Sequence, residues 1–352
     1  TPNKIDIDTE KIIVDIRKSL MEGTDIRIKY SCVGPEAIQY HMVQEGHASD
    51  MIPSIATIKR VIKRNKLKVN KRARYKRVHS KKRYTLVRPR HKDEMHQMDF
   101  VGPRHITGYG SINSLHLKDV VGKHVAGYQY NEKSMDNVMQ FLISYWMRNP
   151  IPKYLQVDNG MCFAGDFKHP KSFSRFVRLC LYVGIEVIFI APSKPWMNGT
   201  IEEMNKGFDI RFWKKETFND LEDIQNKSNI FYDSMNKYNV WKYREVKIKP
   251  IKPIRMISPD FKINTDDIPL IRGRIHFIRE VNSNGQINLL NESFDVGKEY
   301  IGEYVWARLD TKQEILDIRY NDEKLVVMKI KQISYKIPEK VCTRKLSIFL
   351  SG

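Results

Sequence analysis

The chain has 352 residues, of which 41% are hydrophobic and 11% aromatic, so it is long enough for two or three domains that each enclose an apolar core. Its 61 basic and 41 acidic residues give a formal net charge of +20, which favours a polyanionic partner. No apolar run approaches the roughly 20 residues of a spanning helix and the polar start shows no secretory signal, so we expect neither a membrane-embedded nor an exported protein.

Three helical patterns occupy the first 68 residues. They are an apolar stripe over 9–23, a segment over 35–45 that begins with Gly34-Pro35, and a third stripe after the capping residue Ser54. Two helices, a short turn and a basic helix predict a helix-turn-helix DNA-binding domain over residues 1–68, with a generic three-helix bundle as the alternative. The candidate DNA contacts on the third helix are Thr57, Lys59, Arg60, Lys63 and Arg64.

A strongly basic segment follows these helices. Residues 59–90 hold sixteen Lys and Arg and no acid, which indicates a nucleic-acid partner more than a phospholipid surface or a disordered tether. We interpret residues 69–92 as a basic linker, with Arg72, Arg74, Lys76 and Arg77 as candidate DNA contacts. The charge alone predicts salt-dependent binding and no sequence preference.

From about residue 93 the pattern changes to strands alternating with helices. Strands are predicted at 95–101, 111–118, 123–130, 154–157 and 186–190, and helices at 134–148, 172–183 and 197–215. This order predicts an α/β core with a mixed sheet over residues 93–262.

Residues 263–352 read as short strands separated by turns. Strands at 274–280 and 286–290 flank Asn284-Gly285, a hairpin signal, and three more are predicted at 304–309, 315–320 and 325–330. The spacing predicts a small β-barrel domain.

Three carboxylates stand out in the core. Asp99 lies near the end of the first predicted strand, Asp158 follows the strand at 154–157, and Glu202 lies where a Pro/Gly loop runs into a helix. Asp99 or Asp158 alone is explained by a solvated strand end or a turn. The apolar stripe of that helix, however, places Glu202 beside the sheet edge.

These motifs resemble those of the DDE superfamily, which includes retroviral integrases and insertion-sequence transposases. The resemblance rests on the strand Asp, then Asp158-Asn-Gly-x-x-Phe163, then Pro195-x-x-Asn-Gly-x-x-Glu202, and covers about residues 92–260. It implies a ribonuclease-H-like catalytic core whose catalytic and metal-binding residues are Asp99, Asp158 and Glu202. Asn159 and Asn198 would orient the loops or contact DNA.

The resemblance implies metal-dependent cleavage of a DNA strand and transfer of its 3′-hydroxyl to a target, the reaction of transposition and integration. Two Mg²⁺ or Mn²⁺ ions would serve this chemistry, since hard oxygen ligands suit them. Double-stranded DNA ends and target would be the partners of a homo-oligomer, with no membrane and no small-molecule substrate. The location would be the cytoplasmic nucleoid of a prokaryote or a eukaryotic nucleus.

Other readings stay open. A viral or retroelement integrase would use the same mechanism, although the N-terminal helices lack a His/Cys zinc pattern. A catalytically silent DNA-binding regulator derived from such an enzyme would keep the fold, and a nuclease would cut without joining.

The chain departs from the family pattern in two places. Between Asp158 and Glu202 lie 43 residues, more than is usual, and Glu203 stands where a basic residue is common. The register after Asn198-Gly199 favours Glu202 over Glu203. Lys206, one helical turn later, is placed to meet a phosphate, with a solvated lysine as the alternative.

The remaining polar residues give weaker signals. His91, His96 and His124 lack metal-ligand spacing, and we interpret them as structural. The cysteines, which are far apart, predict neither a zinc site nor a disulfide and favour a reducing compartment.

Overall fold

The structure is a computed structural model that describes residues 5–23, 25, 28–68, 87–165, 169–321 and 327–342. It is α/β, with a large mixed sheet and several helices, which confirms the predicted class. None of the described helices is both long and apolar enough to cross a membrane. The chain divides into two compact units.

Helices and strands follow one another closely along the chain. The described helices are α1 (Ile7–Glu22), α2 (Pro35–Gln44), α3 (Ile55–Arg64), α4 (Met135–Trp146), α5 (Met161–Ala164), α6 (Arg175–Tyr182), α7 (Gly199–Arg211) and α8 (Leu221–Lys242). The described strands are β1 (Met95–Ile106), β2 (Gly110–Asp119), β3 (Val125–Tyr130), β4 (Tyr154–Val157), β5 (Glu186–Phe189), β6 (Arg274–Glu280), β7 (Gln286–Leu289), β8 (Glu292–Asp295), β9 (Tyr304–Asp310), β10 (Ile315–Asn321) and β11 (Val327–Ser334).

The first unit is built around α1, α2 and α3. Ser54 caps α3 by accepting a hydrogen bond from the backbone N–H of Thr57 at 3.3 Å. This satisfies one of the amide groups that a helix start leaves without a partner. The apolar faces of the three helices share one buried cluster, which includes Ile13, Leu20, Ile38, Met42, Ile58 and Val61.

This unit differs from a domain confined to residues 1–68. Besides the described part of Thr1–His79, it contains Lys206–Phe218 and Asp223–Lys247, which we had assigned to the core over 93–262. The rings of Tyr40 and Trp241 lie 5.3 Å apart, and Lys242 forms an ion pair with Glu36 at 2.7 Å. A helical period shows that a helix has an apolar face, but not which element covers that face. Residues 69–86, most of the predicted linker, lie outside the described residues.

The second unit contains the sheet. It comprises the described residues of Ser80–Asn205, Asn219–Glu222 and Ile248–Gly352. Nine of its described strands form one sheet in the order β11-β10-β9-β6-β5-β4-β1-β2-β3. The neighbours β6, β5, β4 and β1 are parallel, and the remaining pairs are antiparallel.

The strands after residue 263 differ from the separate small barrel that we expected. β6 pairs in parallel with β5, with Val187 opposite Ile275, so β6, β9, β10 and β11 continue the main sheet. The strands that flank Asn284-Gly285 do not form the predicted hairpin. Instead, β6 pairs with β9 and β7 pairs with β8. The Asn282 side-chain oxygen accepts the backbone N–H groups of Asn284 and Gln286 at 2.9 and 3.0 Å, so the turn forms without a ladder between its flanking strands.

The two faces of β1 and β2 carry different side chains. Met98 and Phe100 on β1 join Leu115 and Leu117 on β2 in the apolar core that α4 and α6 cover. Gln97 alternates with these β1 residues and therefore points to the other face. That polar face receives the start of α7.

Candidate active site

Asp99 lies in β1, and Asp158 directly follows the neighbouring parallel strand β4. The β1–β4 ladder pairs Gln97 with Gln156, and the same register continued by two residues sets Asp158 beside Asp99. Adjacent strands lie about 4.8 Å apart and paired residues point to the same face, so the two carboxylates are neighbours. Asp158 directly follows β4 as predicted, whereas Asp99 lies inside β1, which is longer than the predicted strand.

The first turn of α7 is fixed to the sheet by a row of three polar side chains. The Gln97 side-chain oxygen accepts the backbone N–H groups of Thr200 and Ile201, both at 3.0 Å. Gln156 donates to a carbonyl of the preceding turn at 2.9 Å, and Lys118 donates to the Thr200 carbonyl at 3.4 Å. Lys118, Gln97 and Gln156 lie opposite one another across β2, β1 and β4, so the strand register sets where α7 begins.

Replacing Gln97 with Leu is expected to lower the free energy of unfolding by roughly 1–3 kcal/mol, because one buried and one partly buried amide of the helix start lose their acceptor. Chemical denaturation measures this effect. Gln313→Leu, the same change at an exposed position, is the control. Equal stabilities of the two variants would contradict the anchoring role.

Glu202 follows this anchored turn, and Asn205 lies one turn later on the same helix face. The Asn205 amide donates to the Asp99 carboxylate at 2.9 Å, which places that face toward Asp99. The Glu203 side chain is 82% exposed and its carboxylate lies 3.5 Å from the Lys118 ammonium. The structure thus directs Glu202 toward Asp99 and Glu203 toward Lys118.

Asn205 also contacts a buried histidine on β2. Because the Asn205 amide nitrogen donates to Asp99, its oxygen is left to accept from Nδ1 of His116, 2.8 Å away. Burial lowers the pKa of His116 to about 4, so its imidazole is neutral near pH 7. His116 therefore orients Asn205 without adding charge beside Asp99.

Two of the acids selected from the sequence, Asp158 and Glu202, lie within electrostatic reach of the third, Asp99. Burial, and then the negative charges of Asp158 and Glu202, raise the pKa of Asp99 to about 7, while the hydrogen bond from Asn205 acts in the opposite direction. Among the described residues, the oxygens of these three acids do not all come within 4.8 Å of one another. Carboxylates that hold two ions roughly 3.5–4 Å apart can be further from one another than carboxylates that hold a single ion. The spacing of the three acids is therefore compatible with a two-ion site.

Without divalent ions, stability is expected to fall with rising pH because of Asp99. Its folded-state pKa of about 7 lies above an unfolded value of about 3.9, so this contribution is complete below pH 4 and is lost as the pH rises through 7. Thermal unfolding in a chelator between pH 5 and 8 should show the decline, and Asp99→Asn should flatten it. Equal slopes for the variant and the unaltered protein would count against the coupling.

A buried arginine from β6 holds the loop that carries Asp158. Arg279 donates to the Asn159 side-chain oxygen at 2.9 Å, and both Arg279 and the Asn159 amide donate to the Ile190 carbonyl, at 3.2 and 2.6 Å. Gly160 donates its backbone N–H to Asp158 at 2.8 Å. Burial lowers the pKa of Arg279 to about 10, so it stays charged near pH 7, and its acceptors among the described residues are neutral.

The predicted DNA contacts on α3 differ in their surroundings. Lys59, Arg60 and Lys63 are exposed, whereas Arg64 is paired with Glu10 by two hydrogen bonds. Thr57 is half-buried at the capped start of α3. Three exposed basic side chains of α3 thus remain candidates for phosphate contacts.

The other predicted DNA contacts lie elsewhere. Lys206 is exposed on α7 and belongs to the first unit, whereas the three carboxylates belong to the second. Arg72, Arg74, Lys76 and Arg77 lie outside the described residues.

A further group of possible metal ligands was not selected from the sequence. Asp93, His96 and Asp119 are buried, and one ligand atom from each lies within 4.8 Å of the others, so this group can hold a metal ion. His96, interpreted above as structural because it lacks metal-ligand spacing, lies opposite Asp119, which is 23 residues away on β2. Strand pairing, which the spacing of His residues does not reveal, brings the two together.

The polar face of the sheet thus combines carboxylates with an oriented amide, whereas the buried guanidinium of Arg279, on the apolar face that Ile275 and Phe277 share, holds the loop after β4. Asp99, Asp158 and Glu202 are supplied by β1, the loop after β4 and the first turn of α7. Neither a family model nor a curated protein matches this chain.

Proposed function

We propose that this chain is a DNA transposase of the DDE class, which cuts a DNA strand and transfers the resulting 3′-hydroxyl to a second duplex. One observation carries the proposal: strand register sets Asp158 beside Asp99, and the anchored start of α7 brings Glu202 to the same place. The motif resemblance supports the same assignment. A ribonuclease-H-like core and a helix-turn-helix belong to the proposal.

The donor set suits two Mg²⁺ or Mn²⁺ ions. Three carboxylates offer hard oxygen ligands, and the mutual repulsion that raises the pKa of Asp99 is relieved by cations. When bound, such a pair supplies activation of the attacking oxygen and charge stabilisation at the leaving oxygen. Asp99, Asp158 and Glu202 would hold these ions.

Residues around the acids have supporting roles. Asn205 holds one oxygen of Asp99, Gln97 fixes the turn before Glu202, and Arg279 fixes the residue after Asp158. Burial and the charge of Asp158 raise the pKa of the Cys162 thiol to about 12, so this neighbour is no thiolate nucleophile at neutral pH. Water and then a DNA 3′-hydroxyl are therefore the proposed attacking groups, without a covalent protein intermediate.

Double-stranded DNA is the proposed partner. The exposed Lys59, Arg60 and Lys63 lie along α3, whose apolar side is buried on α1 and α2, so the basic side faces solvent. Residues 59–90 add a dense positive charge. Paired element ends require more than one chain on DNA, so a homo-oligomer is part of the proposal.

Changing Lys59, Arg60 and Lys63 together to Ala is expected to weaken binding to any duplex. Loss of three phosphate contacts should reduce the slope of log affinity against log salt by about 2.7. Fluorescence anisotropy at several salt concentrations measures the slope. Arg64→Ala is the control, because Arg64 is paired with Glu10, and a slope unchanged by the triple variant would exclude α3 from phosphate contact.

The proposed function is tested by incubating the purified chain with Mg²⁺, a plasmid target and duplexes taken from the DNA flanking its own coding sequence. Sequencing of junctions should find 3′ ends joined to the plasmid. Cleaved ends without junctions would indicate a nuclease, and binding without chemistry in Mg²⁺ or Mn²⁺ would indicate a silent regulator. Either result contradicts the proposal.

A further inference from the structure

A second group of ionisable side chains lies on the opposite face of β1 from Asp99. Asp93 precedes β1, His96 lies in β1, and Asp119 ends β2 directly opposite His96. His96 and Asp99 are three residues apart along a strand, so their side chains point to opposite faces. The exposed fractions of Asp93, His96 and Asp119 are 3%, 0% and 0%.

The group contains more negative charge than its neighbours compensate. Asp119 accepts two backbone N–H groups, those of Asp93 and Val121, both at 3.0 Å. One oxygen of Asp93 lies 3.3 Å from Nε2 of His96, and its other oxygen, although buried, has no hydrogen-bond partner among the described residues.

No described Lys or Arg forms an ion pair with either carboxylate. Burying two carboxylates with only one imidazole between them costs several kcal/mol. A bound cation offsets that cost directly, and the unpaired oxygen of Asp93 provides a lone pair for it. The arrangement therefore favours a cation ligand over a hydrogen-bonded cluster alone.

The spacing of the His96 and Asp93 ligand atoms fits a metal site. A charge-assisted hydrogen bond would bring nitrogen and oxygen to about 2.7–2.9 Å. Ligands at roughly 2.0–2.1 Å from a tetrahedral Zn²⁺ ion lie about 3.3 Å apart along each edge. The distance of 3.3 Å between Nε2 of His96 and an Asp93 oxygen is longer than such a hydrogen bond and is compatible with that edge.

The kind of donor selects the kind of metal. One imidazole nitrogen and two carboxylate oxygens suit Zn²⁺ and related transition ions, whereas Mg²⁺ prefers an all-oxygen octahedron. The Tyr145 hydroxyl lies within electrostatic reach of the group. Burial, and to a lesser extent the charges of Asp93 and Asp119, raise its pKa. It lies 3.1 Å from Nδ1 of His124, and this polar pair borders the group.

We propose that Asp93, His96 and Asp119 form a structural binding site for a divalent transition ion of the Zn²⁺ kind. The ion links Asp93, two residues before β1, and His96 in β1 to the end of β2, and so secures the register of the strand that carries Asp99. The site is separate from the three carboxylates of the proposed active site, and it stands whether or not the chain is a transposase.

The test uses a full-length variant without the other carboxylate cluster, Asp99→Asn, Asp158→Asn and Glu202→Gln together. After chelation and dialysis, this variant should bind one Zn²⁺ per chain and gain thermal stability on binding. Adding His96→Gln should weaken binding at least about 100-fold, since loss even of outer partners costs 10–100-fold. Adding His91→Gln, an exposed neighbour, should leave binding unchanged.

X-ray absorption of the Zn²⁺-loaded triple variant provides a readout that needs no His96 variant. The expected spectrum has nitrogen and oxygen ligands at about 2.0–2.1 Å and no sulfur. Absence of stoichiometric Zn²⁺ binding, sulfur ligation, or binding that His96→Gln leaves intact would overturn the proposal.

Discussion

Glu202→Gln is expected to lower strand-transfer activity by at least about 10³-fold, which corresponds to roughly 4 kcal/mol of transition-state stabilisation. The amide keeps the size of the side chain but removes the charge needed to hold a divalent ion. Because Glu202 follows the anchored turn of α7, the substitution should leave the fold and the affinity for DNA nearly unchanged. The rate of 3′-end joining in Mg²⁺, with anisotropy on the same samples, measures both.

Glu203→Gln is the matched control, because Glu203 is adjacent in sequence but 82% exposed and turned toward Lys118. Its activity should stay within about threefold of the unaltered chain, as expected for a solvated surface charge. If Glu203→Gln were the inactive variant and Glu202→Gln the active one, the assignment of the third carboxylate would be wrong.

The second large effect is expected at a residue far from the acids in sequence. Arg279→Met should lower strand transfer by roughly 10–100-fold, the usual cost of removing a residue that orients a ligand. The substitution removes the hydrogen bond from Arg279 to the Asn159 side-chain oxygen. The loop that carries Asp158 is then less firmly positioned. The Mg²⁺ concentration needed for half-maximal rate should rise, an effect that a loss of DNA affinity would not produce.

Arg274→Met provides the control on the same strand. The Arg274 side chain is 48% exposed and pairs with Glu186 and Asp310 at the surface, where such pairs contribute little. Arg279→Lys should recover only part of the activity, since a single ammonium cannot reproduce the planar fork of a guanidinium. An Arg279→Met variant with unchanged Mg²⁺ dependence would show that the arginine does not position Asp158.

The elements of the core were predictable because their signals are local. The helix predicted over 134–148 contains α4, and the four residues of β4 were predicted without error. Which strands pair with one another was harder to predict from the sequence. The short strands after residue 263 contain nothing that specifies pairing of β6 with β5, and Asn284-Gly285 signals a turn whether or not its flanking strands pair.

The carboxylates of the candidate site were predictable from the sequence, but the residues that position them were not. Acids at strand ends carry a chemical signal, whereas Gln97 and Gln156 look like ordinary polar residues in a strand. Only the register shows that they form a row with Lys118 and receive α7. Polar residues at alternate positions of buried strands were the available clue, since Gln97 and Asp99 share one face of β1.

The central claim is that Asp99, Asp158 and Glu202 together hold a pair of divalent ions. Electron paramagnetic resonance of Mn²⁺ bound to the DNA complex tests it directly, because two ions roughly 3.5–4 Å apart are magnetically coupled. The account predicts a coupled pair in the unaltered chain that disappears in Asp99→Asn and persists in His96→Gln. Isolated, uncoupled Mn²⁺ in the unaltered chain, or a coupled signal that survives Asp99→Asn, would contradict the claim.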